Sequence, residues 1–188
     1  MSTAPKIMVV RHAEKPTDTE QGVTPAGDAD KHDLIVQGWQ RAGALVCLFA
    51  PARGSLQSPQ LATPQFLFAS DDSSQRPVET ITPLAGRLNL KINQGFGTGD
   101  ESSLAEAARA ANGVVLIAWQ HEDIPAIGNA ITGNKTTVPQ KWPGTRFDLV
   151  WVFNLIPASG AYEFTQVPQC LLAGDQNSVI NESSSVQD

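Results

Sequence analysis

The chain has 188 residues, of which 41% are hydrophobic and 17% are charged, and thirteen basic against nineteen acidic residues give a net charge of −6. This length and composition are typical of one globular domain, and the negative charge excludes a general attraction to nucleic acid or anionic membranes. We expect one folded domain over residues 1–175, followed by a polar, serine-containing and flexible tail over residues 176–188.

We expect neither an export signal nor a membrane span in this sequence. Residues 1–10 have one lysine before a very short apolar run, whereas a signal peptide needs roughly 7 to 15 apolar residues. No stretch approaches the roughly 20 apolar residues that cross a bilayer. The two cysteines, Cys47 and Cys170, lie far apart without the spacing of metal ligands. The sequence therefore predicts a cytoplasmic protein with no membrane partner.

Three short apolar runs predict buried strands. They cover residues 7–10, 66–69 and 114–119, and each is continuous rather than alternating, as in strands that are buried on both faces of a parallel sheet. Polar residues follow each run, and a helical pattern follows each polar segment. The order of strand, polar loop and helix therefore recurs along most of the chain.

Four helices and a hairpin are predicted between and after these strands. Asp33 is expected to cap the first helix, and Pro83 is expected to kink or fray the second. Ser102 or Ser103 is expected to cap the third, which is rich in alanine. The predicted elements are helices over 34–46 and 77–88, a helix that ends at 111, a helix from 125, a short strand at 90–92, and hairpin strands at 149–154 and 162–167.

Alternating strands and helices predict an open, mostly parallel α/β sheet, in which ligands bind beyond the carboxyl ends of the strands. Arg11 and His12 follow the first strand directly. Arg76 follows the second strand through a short loop, and His121 follows the third. We therefore expect two imidazoles and two guanidiniums to meet in one pocket.

Such a pocket favours a phosphoryl group. A guanidinium matches phosphoryl oxygens bidentately and stays charged at ordinary pH. A neutral imidazole is a competent nucleophile near pH 7, and flanking cations offset the charge repulsion that hinders attack on a phosphate dianion. His12, directly at the strand end, is the expected nucleophile, and His121 is expected to hydrogen-bond the phosphoryl oxygens.

The motifs around these residues have a recognisable order. Residues 9–16, Val-Val-Arg-His-Ala-Glu-Lys-Pro, resemble an Arg-His-Gly signature, and residues 34–45 resemble a Leu-Thr-x-x-Gly-x-x-Gln-Ala helix. Residues 70–80 resemble a Ser-x-x-x-Arg-x-x-Glu-Thr segment, and His121 stands in the place of a second catalytic histidine. All of these motifs are those of the histidine phosphatases, the phosphoglycerate mutase-like superfamily. The resemblance covers roughly residues 6–155.

The resemblance implies a three-layer α/β/α sandwich with a mostly parallel sheet, and a histidine phosphatase-like domain over residues 1–175. It implies a metal-independent phosphohydrolase, without a cofactor, in which His12 is phosphorylated and then hydrolysed. Arg11, His12, Arg76 and His121 are the expected catalytic and phosphate-binding residues. The expected substrate is a phosphorylated small molecule or a phosphoprotein.

Two departures from the family pattern bear on its branches and on the proton donor. Ala13 replaces the usual glycine, and Glu122 stands where one branch often has glycine and the acid phosphatases have aspartate. The short chain indicates the phosphoglycerate mutase branch. That branch takes its proton donor from a loop after the second arginine, which indicates Glu101, while Asp100, Glu14 and Glu122 remain open alternatives.

Other functions are also open at this point. His12 and His121 could bind a zinc-like ion together with a carboxylate. However, Arg11 and Arg76 would repel a cation, and no His-Glu-x-x-His spacing is present. A noncatalytic phosphate-binding protein and a phosphoglycerate-type mutase are further alternatives. The loops at 16–31, 51–64 and 135–146 are expected to set the specificity, but they identify no substrate and no oligomeric state.

Overall fold

The computed structural model describes residues 5–72 and 74–181. In this part of the chain, strands and helices alternate before a final pair of strands. The elements are β1 (Lys6–Arg11), α1 (Val36–Phe49), β2 (Phe66–Ala69), α2 (Arg76–Leu88), β3 (Ile92–Asn93), α3 (Glu101–Ala110), β4 (Val114–Trp119), α4 (Ile124–Thr132), β5 (Leu149–Ile156) and β6 (Ala161–Pro168).

The strands form one six-stranded sheet in the order β3-β2-β4-β1-β5-β6. The first four strands in this order are parallel, whereas β5 runs antiparallel to β1 and β6 antiparallel to β5. The predicted mostly parallel sheet and the predicted hairpin at its edge are therefore confirmed. Because β1, β2 and β4 are parallel, their carboxyl ends lie along the same edge of the sheet.

Helices cover both faces of the sheet, because successive side chains of each strand point to opposite faces. In β4, Val115 and Ile117 pack with residues of α3 and α4 in one apolar cluster, while Leu116 and Ala118 pack with residues of α1 and α2 in the other. Each strand in the middle of the sheet is thus buried on both sides, which is why its sequence is continuously apolar. The predicted three-layer α/β/α sandwich is confirmed.

Two helix starts differ from the prediction. α1 begins at Val36, so the cap position is Ile35, which makes no side-chain cap, and Asp33 lies further upstream. α3 begins at Glu101 after Asp100, so both serines lie inside its first turn instead of capping it. The predicted caps thus lie two or three residues from the observed cap positions, Ile35 and Asp100, because local propensity defines a helix boundary only to within a few residues.

The C-terminal segment was expected to be a flexible tail from residue 176. In the described part, Ile180 is only 4% exposed and its N–H donates to Gln166 Oε1, while the Ser178 carbonyl accepts a bond from Arg146 Nη2. Residues 176–181 thus lie against the domain. Residues 182–188 of the expected tail lie outside the described residues. Among the described helices, none is both long and apolar enough to cross a membrane.

Candidate active site

The carboxyl ends of β1, β2 and β4 border a cavity of about 280 Å³. Its position follows from the parallel strands, whose polar exit loops meet at one edge of the sheet. Two of the predicted site residues line this cavity, His12 directly after β1 and Arg76 at the first position of α2. The full lining consists of His12, Ser70, Asp72, Ser74, Arg76, Pro77, Thr98 and Gln120.

His12 is fixed in one orientation and one tautomer. Its Nδ1 lies 2.7 Å from the carbonyl oxygen of Ala13, and because a carbonyl can only accept, Nδ1 carries the proton. The lone pair is therefore on Nε2. The His12 residue is only 5% exposed. This burial, together with the charge of Arg11, lowers the pKa of His12 to about 3. A neutral imidazole with an available Nε2 is the form that attacks phosphorus.

Arg11 is the last residue of β1 and is fully buried. Its Nη1 donates to the carbonyl oxygens of Gly144 and Arg146, and its guanidinium carbon lies 3.8 Å from the centre of the Phe147 ring. Burial lowers the pKa of Arg11 to about 10, which leaves it charged at neutral pH. Nε and Nη2 have no hydrogen-bond partner among the described residues. Buried donors normally find a partner, so these two indicate an anion-binding position.

Two further polar groups at the cavity are also unpartnered in the described part of the chain. Arg76 Nε is buried without a partner, while its Nη1 reaches the Lys31 carbonyl at 3.5 Å. Burial lowers the pKa of Arg76, although Glu79 and Asp33 act in the opposite direction. Ser70 is 1% exposed and its Oγ is also unpartnered. Guanidinium and hydroxyl donors thus remain free around the histidine.

His121 lies close enough to the other site residues to interact with them electrostatically. Burial and the charge of Arg11 lower the pKa of His121 to about 4, and His121 in turn lowers the pKa of His12. Its Nδ1 is 2.8 Å from Glu122 Oε2, without the alignment of a hydrogen bond. A Cβ at Gly144 would come within 3.3 Å of His121 Nε2, so the glycine leaves space beside this nitrogen.

The four carboxylates considered as proton donors have different surroundings. Glu14 is buried and accepts bonds from Nε and Nη2 of Arg41 at 2.8–3.1 Å. Asp100 accepts from the Gly97 N–H, and Glu101 accepts from the Gly99 N–H at 3.0 Å, so both turn towards their own loop. The Glu122 side chain is 62% exposed beside His121, and its charge acts on Arg11 and Arg76. None of the four belongs to the described cavity lining.

Sequence reasoning missed several residues that line the cavity. Gln120 is the first residue after β4, so the strand-end rule that selected His121 could have selected it as well. Asp72 lies in the exit loop of β2, and Thr98 lies in the glycine-rich loop before α3. No spacing rule marks Asp72 or Thr98, because the cavity joins loops that are far apart in sequence.

Two buried carboxyl groups support the start of α2. Glu79 Oε2 accepts a hydrogen bond from the Leu34 N–H at 2.9 Å, and Glu79 is also hydrogen-bonded to Asp33. Burial, together with the charge of Asp33, raises the pKa of Glu79 to about 7. Thr80 Oγ1 accepts from the Ala13 N–H at 2.7 Å, so α2 also holds the loop that follows His12.

Within residues 5–72 and 74–181, no three His, Cys, Asp or Glu side chains come together as they would around a metal ion. His12 and His121 instead lie within electrostatic range of Arg11. This donor set matches the chemistry of an oxyanion, which accepts hydrogen bonds and carries negative charge.

Solved structures show the same fold. The protein histidine phosphatase SixA in complex with tungstate is 15% identical, with a TM-score of 0.55 over 88% of this chain and 97% of that one. A mutant phosphoserine phosphatase from Entamoeba histolytica in complex with phosphoserine is 12% identical, with a TM-score of 0.55 over 85% of this chain and 94% of that one. A mycobacterial glucosyl-3-phosphoglycerate phosphatase with VO3 is 14% identical, with a TM-score of 0.52 over 87% of this chain and 97% of that one.

No protein-family model and no curated protein matches the sequence. The structural likeness therefore concerns the fold, which is the phosphoglycerate mutase-like α/β/α fold of these phosphatases. The fold class predicted from the sequence motifs is confirmed in this respect. At 12–15% identity, the likeness assigns no substrate.

Proposed function

We propose that the protein is a phosphohydrolase of the histidine phosphatase type, which cleaves phosphomonoesters through a phosphohistidine on His12. The observation that carries this proposal is the state of His12, a neutral imidazole whose Nδ1 is bonded to the Ala13 carbonyl and whose Nε2 is available. Arg11 and Arg76, with unpartnered N–H groups, lie within electrostatic range of it. Phosphatases of the same fold support the reaction class.

In the first step, His12 Nε2 attacks phosphorus, and the bond between phosphorus and the alcohol oxygen breaks. The phosphoryl group carries negative charge on its nonbridging oxygens, and Arg11, Arg76 and His121 would stabilise that charge. Ser70 Oγ is a further donor at the cavity. The departing alkoxide takes a proton from an acid, so that the products of this step are the free alcohol and phosphohistidine.

In the second step, water attacks the phosphorus of phosphohistidine and the bond between phosphorus and Nε2 breaks. The group that gave its proton to the alcohol takes one from the water, which returns His12 to its neutral state and releases inorganic phosphate. Burial of His12 keeps the imidazole neutral at the start of each cycle. The same residues therefore serve both steps.

We propose Glu101 as the proton donor and keep Glu122 as the second candidate. Glu101 accepts a bond from Gly99, whose φ of 97° lies in the left-handed region, so the loop from Gly97 to Gly99 could re-orient the carboxylate. Glu122 is adjacent to His121 without such a change. An alkyl phosphate needs a protonated leaving group far more than p-nitrophenyl phosphate does. The residue whose Gln variant selectively slows the alkyl ester is therefore the donor.

We further propose that hydrolysis needs neither a metal nor an organic cofactor, because the two arginines supply the positive charge that a metal supplies elsewhere. The expected substrate is a phosphorylated small molecule or a phosphoprotein, acted on in the cytoplasm. A noncatalytic phosphate-binding protein would use the same arginines. A mutase would additionally have to retain a bisphosphate.

The decisive experiment is to capture the phosphoenzyme. The protein is mixed with a ³²P-labelled phosphomonoester, quenched and tested for acid-labile, base-stable label. We expect label and turnover in the wild-type protein and in the control His32→Gln, which changes an exposed histidine outside the cavity lining. His12→Ala should lose both. Label that persists on His12→Ala would refute this nucleophile, and oxyanion binding without any turnover would favour the noncatalytic alternative.

The metal requirement is tested separately. Activity should be unchanged after dialysis against EDTA. Loss of activity in EDTA, with recovery on addition of zinc, would refute metal independence and would favour a metal site at His12 and His121.

A further inference from the structure

One part of the cavity wall is a hydrogen-bonded group of three side chains, Asp72, Thr98 and Gln120, which we call the Asp72 group. Asp72 Oδ2 accepts from Thr98 Oγ1 at 3.1 Å and from Gln120 Nε2 at 2.9 Å, and Oδ1 accepts from the Thr98 N–H at 3.3 Å. Gln120 Nε2 also donates to Thr98 Oγ1. Three loops thus fix one carboxylate at the cavity, which indicates a defined position for a ligand.

The described partners of this carboxylate are neutral. Its hydrogen bonds come from an amide, a hydroxyl and a backbone N–H, and none of them comes from a lysine or arginine. A carboxylate in a cavity without a cationic partner gains free energy when a cation binds beside it. Burial, Glu101, Glu122 and Asp72 together raise the pKa of Asp123, so further negative charge lies within electrostatic range of Asp123 and Asp72.

The same cavity contains an independent sign of a bound ligand. Ser70 lines it, is 1% exposed and has an Oγ without a partner among the described residues. A hydroxyl buried to this degree normally has a hydrogen-bond partner. The residues that line the cavity are all polar except Pro77. The cavity is therefore suited to a ligand with polar groups along its whole length.

The lining contains both a cation, Arg76, and an anion, Asp72. Arg76 and the neighbouring Arg11 favour the phosphoryl group, while Asp72 favours positive charge. The volume of about 280 Å³ is slightly below the range of about 300–1,000 Å³ that is typical of small-molecule sites, so the ligand should be small. A small molecule with an anion at one end and a cation at the other matches both features.

We infer that the Asp72 group binds an ammonium group on the leaving alcohol, and that the substrates are small aminoalcohol phosphates. This inference rests on the proposed function, because His12 and the arginines are taken to hold the phosphoryl end. In the complex, Asp72 forms a charge-assisted hydrogen bond with the ammonium group, and Gln120 and Thr98 keep the carboxylate in position.

The test compares phosphoethanolamine with 2-hydroxyethyl phosphate, two esters of equal heavy-atom number that differ in an ammonium or a hydroxyl group. We expect the wild-type kcat/KM for phosphoethanolamine to exceed that for 2-hydroxyethyl phosphate by at least about tenfold, or about 1.4 kcal/mol. Asp72→Asn should reduce this ratio to near one. Asp71→Asn is the matched control, because it removes the charge of an exposed neighbour outside the cavity lining and should keep the ratio.

Each other outcome overturns the inference. Equal wild-type rates on the two esters, or a ratio that survives in Asp72→Asn, would exclude ammonium recognition by this carboxylate. Equal slowing of both esters by Asp72→Asn, with the ratio retained, would assign Asp72 to proton transfer instead. If Asp72→Asn fails to fold, Thr98→Val provides the second variant, because it removes the hydroxyl that holds Asp72 and should also lower the ratio.

Binding separates this inference from the proposed function. Calorimetry with 2-aminoethylphosphonate and 2-hydroxyethylphosphonate, which resist hydrolysis, measures the preference on wild-type protein and on His12→Ala. If the amino compound binds more tightly in an Asp72-dependent way, but the protein hydrolyses no ester, ammonium binding by the Asp72 group is supported and the proposed phosphatase activity is refuted. If the protein hydrolyses both esters but binds the two phosphonates equally well, the phosphatase activity is supported and ammonium binding by the Asp72 group is refuted.

Discussion

The guanidinium of Arg11 lies over the ring of Phe147, with its central carbon 3.8 Å from the ring centre. The carbonyls of Gly144 and Arg146 bind one edge of the same guanidinium, through Nη1. The Phe147 ring and these two carbonyls do not occupy Nε and Nη2 of Arg11, which have no hydrogen-bond partner among the described residues. The segment from Gly144 to Phe147 therefore determines which of the Arg11 donors are available to a phosphoryl group.

Replacing Phe147 by leucine should weaken binding of oxyanions. A cation–π contact contributes about 0.5–2 kcal/mol, so kcat/KM for p-nitrophenyl phosphate should fall by roughly 2- to 30-fold. Inhibition by vanadate should weaken in parallel. Phe66→Leu is the control, because Phe66 is a partly exposed residue at the start of β2 and lies outside the cavity lining. Unchanged vanadate affinity in Phe147→Leu would show that the ring does not hold Arg11.

The buried histidine should make the fold sensitive to acid. Burial and Arg11 lower the pKa of His12 from 6.5 to about 3, so between these values the unfolded chain binds a proton that the folded protein does not. The contribution of His12 to the free energy of unfolding is therefore present above pH 6.5 and is lost as the pH falls towards 3. Urea unfolding of wild-type protein and His12→Gln at pH 7 and pH 5 measures this effect.

We expect the variant to gain stability relative to the wild type on going from pH 7 to pH 5. The difference between the two free energies should shift in this direction even if the substitution changes the stability at pH 7. A difference that is independent of pH would mean that the imidazole titrates normally in the folded state.

Glu79 should have the opposite effect on stability. Burial and the charge of Asp33 raise its pKa from 4.5 to about 7, so the folded protein binds a proton in this range that the unfolded chain has lost. Its contribution is present below pH 4.5 and is lost as the pH rises through about 7. In Glu79→Gln the side chain is a neutral amide at every pH, with nearly the size and shape of the protonated carboxyl group. Its stability relative to the wild type should therefore rise between pH 5 and pH 8, and a fall over this interval would contradict the assignment.

Removal of the Arg41 side chain should destabilise the protein strongly. Arg41 is buried and bonds Glu14 and Asp175, and although burial would lower its pKa, these bonds outweigh burial and raise it. Loss of one partner of a buried ion pair costs about 3–5 kcal/mol, because the remaining charges stay uncompensated. We expect Arg41→Met to show a loss of this size in urea unfolding. Arg87→Met, at an exposed arginine of α2, should cost less than about 1 kcal/mol.

The sequence predicts the sheet well because the buried strands have the simplest pattern. The runs at 7–10, 66–69 and 114–119 are continuously apolar, and β1, β2 and β4 coincide with them to within one residue. The helix starts are less accurate, since Asp33 has the side chain of a cap but is hydrogen-bonded to Glu79 instead. That contact joins two segments more than forty residues apart in sequence, and local propensity contains no information about it.

The site is predicted in part. Of the four residues predicted from the strand ends, His12 and Arg76 line one cavity, while Arg11 and His121 are outside its lining and interact electrostatically with His12. Their catalytic roles remain predictions until the phosphoenzyme is tested. The residues that support them are not visible in the sequence, because Phe147 and the carbonyls around it reach Arg11 from a loop before β5.

The position of β1 within the sheet has a consequence for biosynthesis. Of the six strands of the sheet, β1 is the first along the chain, yet it pairs with β4 on one side and with β5 on the other, which come much later in the sequence. Until those strands have been translated, β1 has no native strand partner, and Arg11 lacks the carbonyls of Gly144 and Arg146 and the ring of Phe147. Contacts of such large sequence separation slow folding. The nascent chain therefore exposes an unpaired apolar strand until β4 and β5 have been made, and expression at low temperature or with added chaperones should increase the soluble yield.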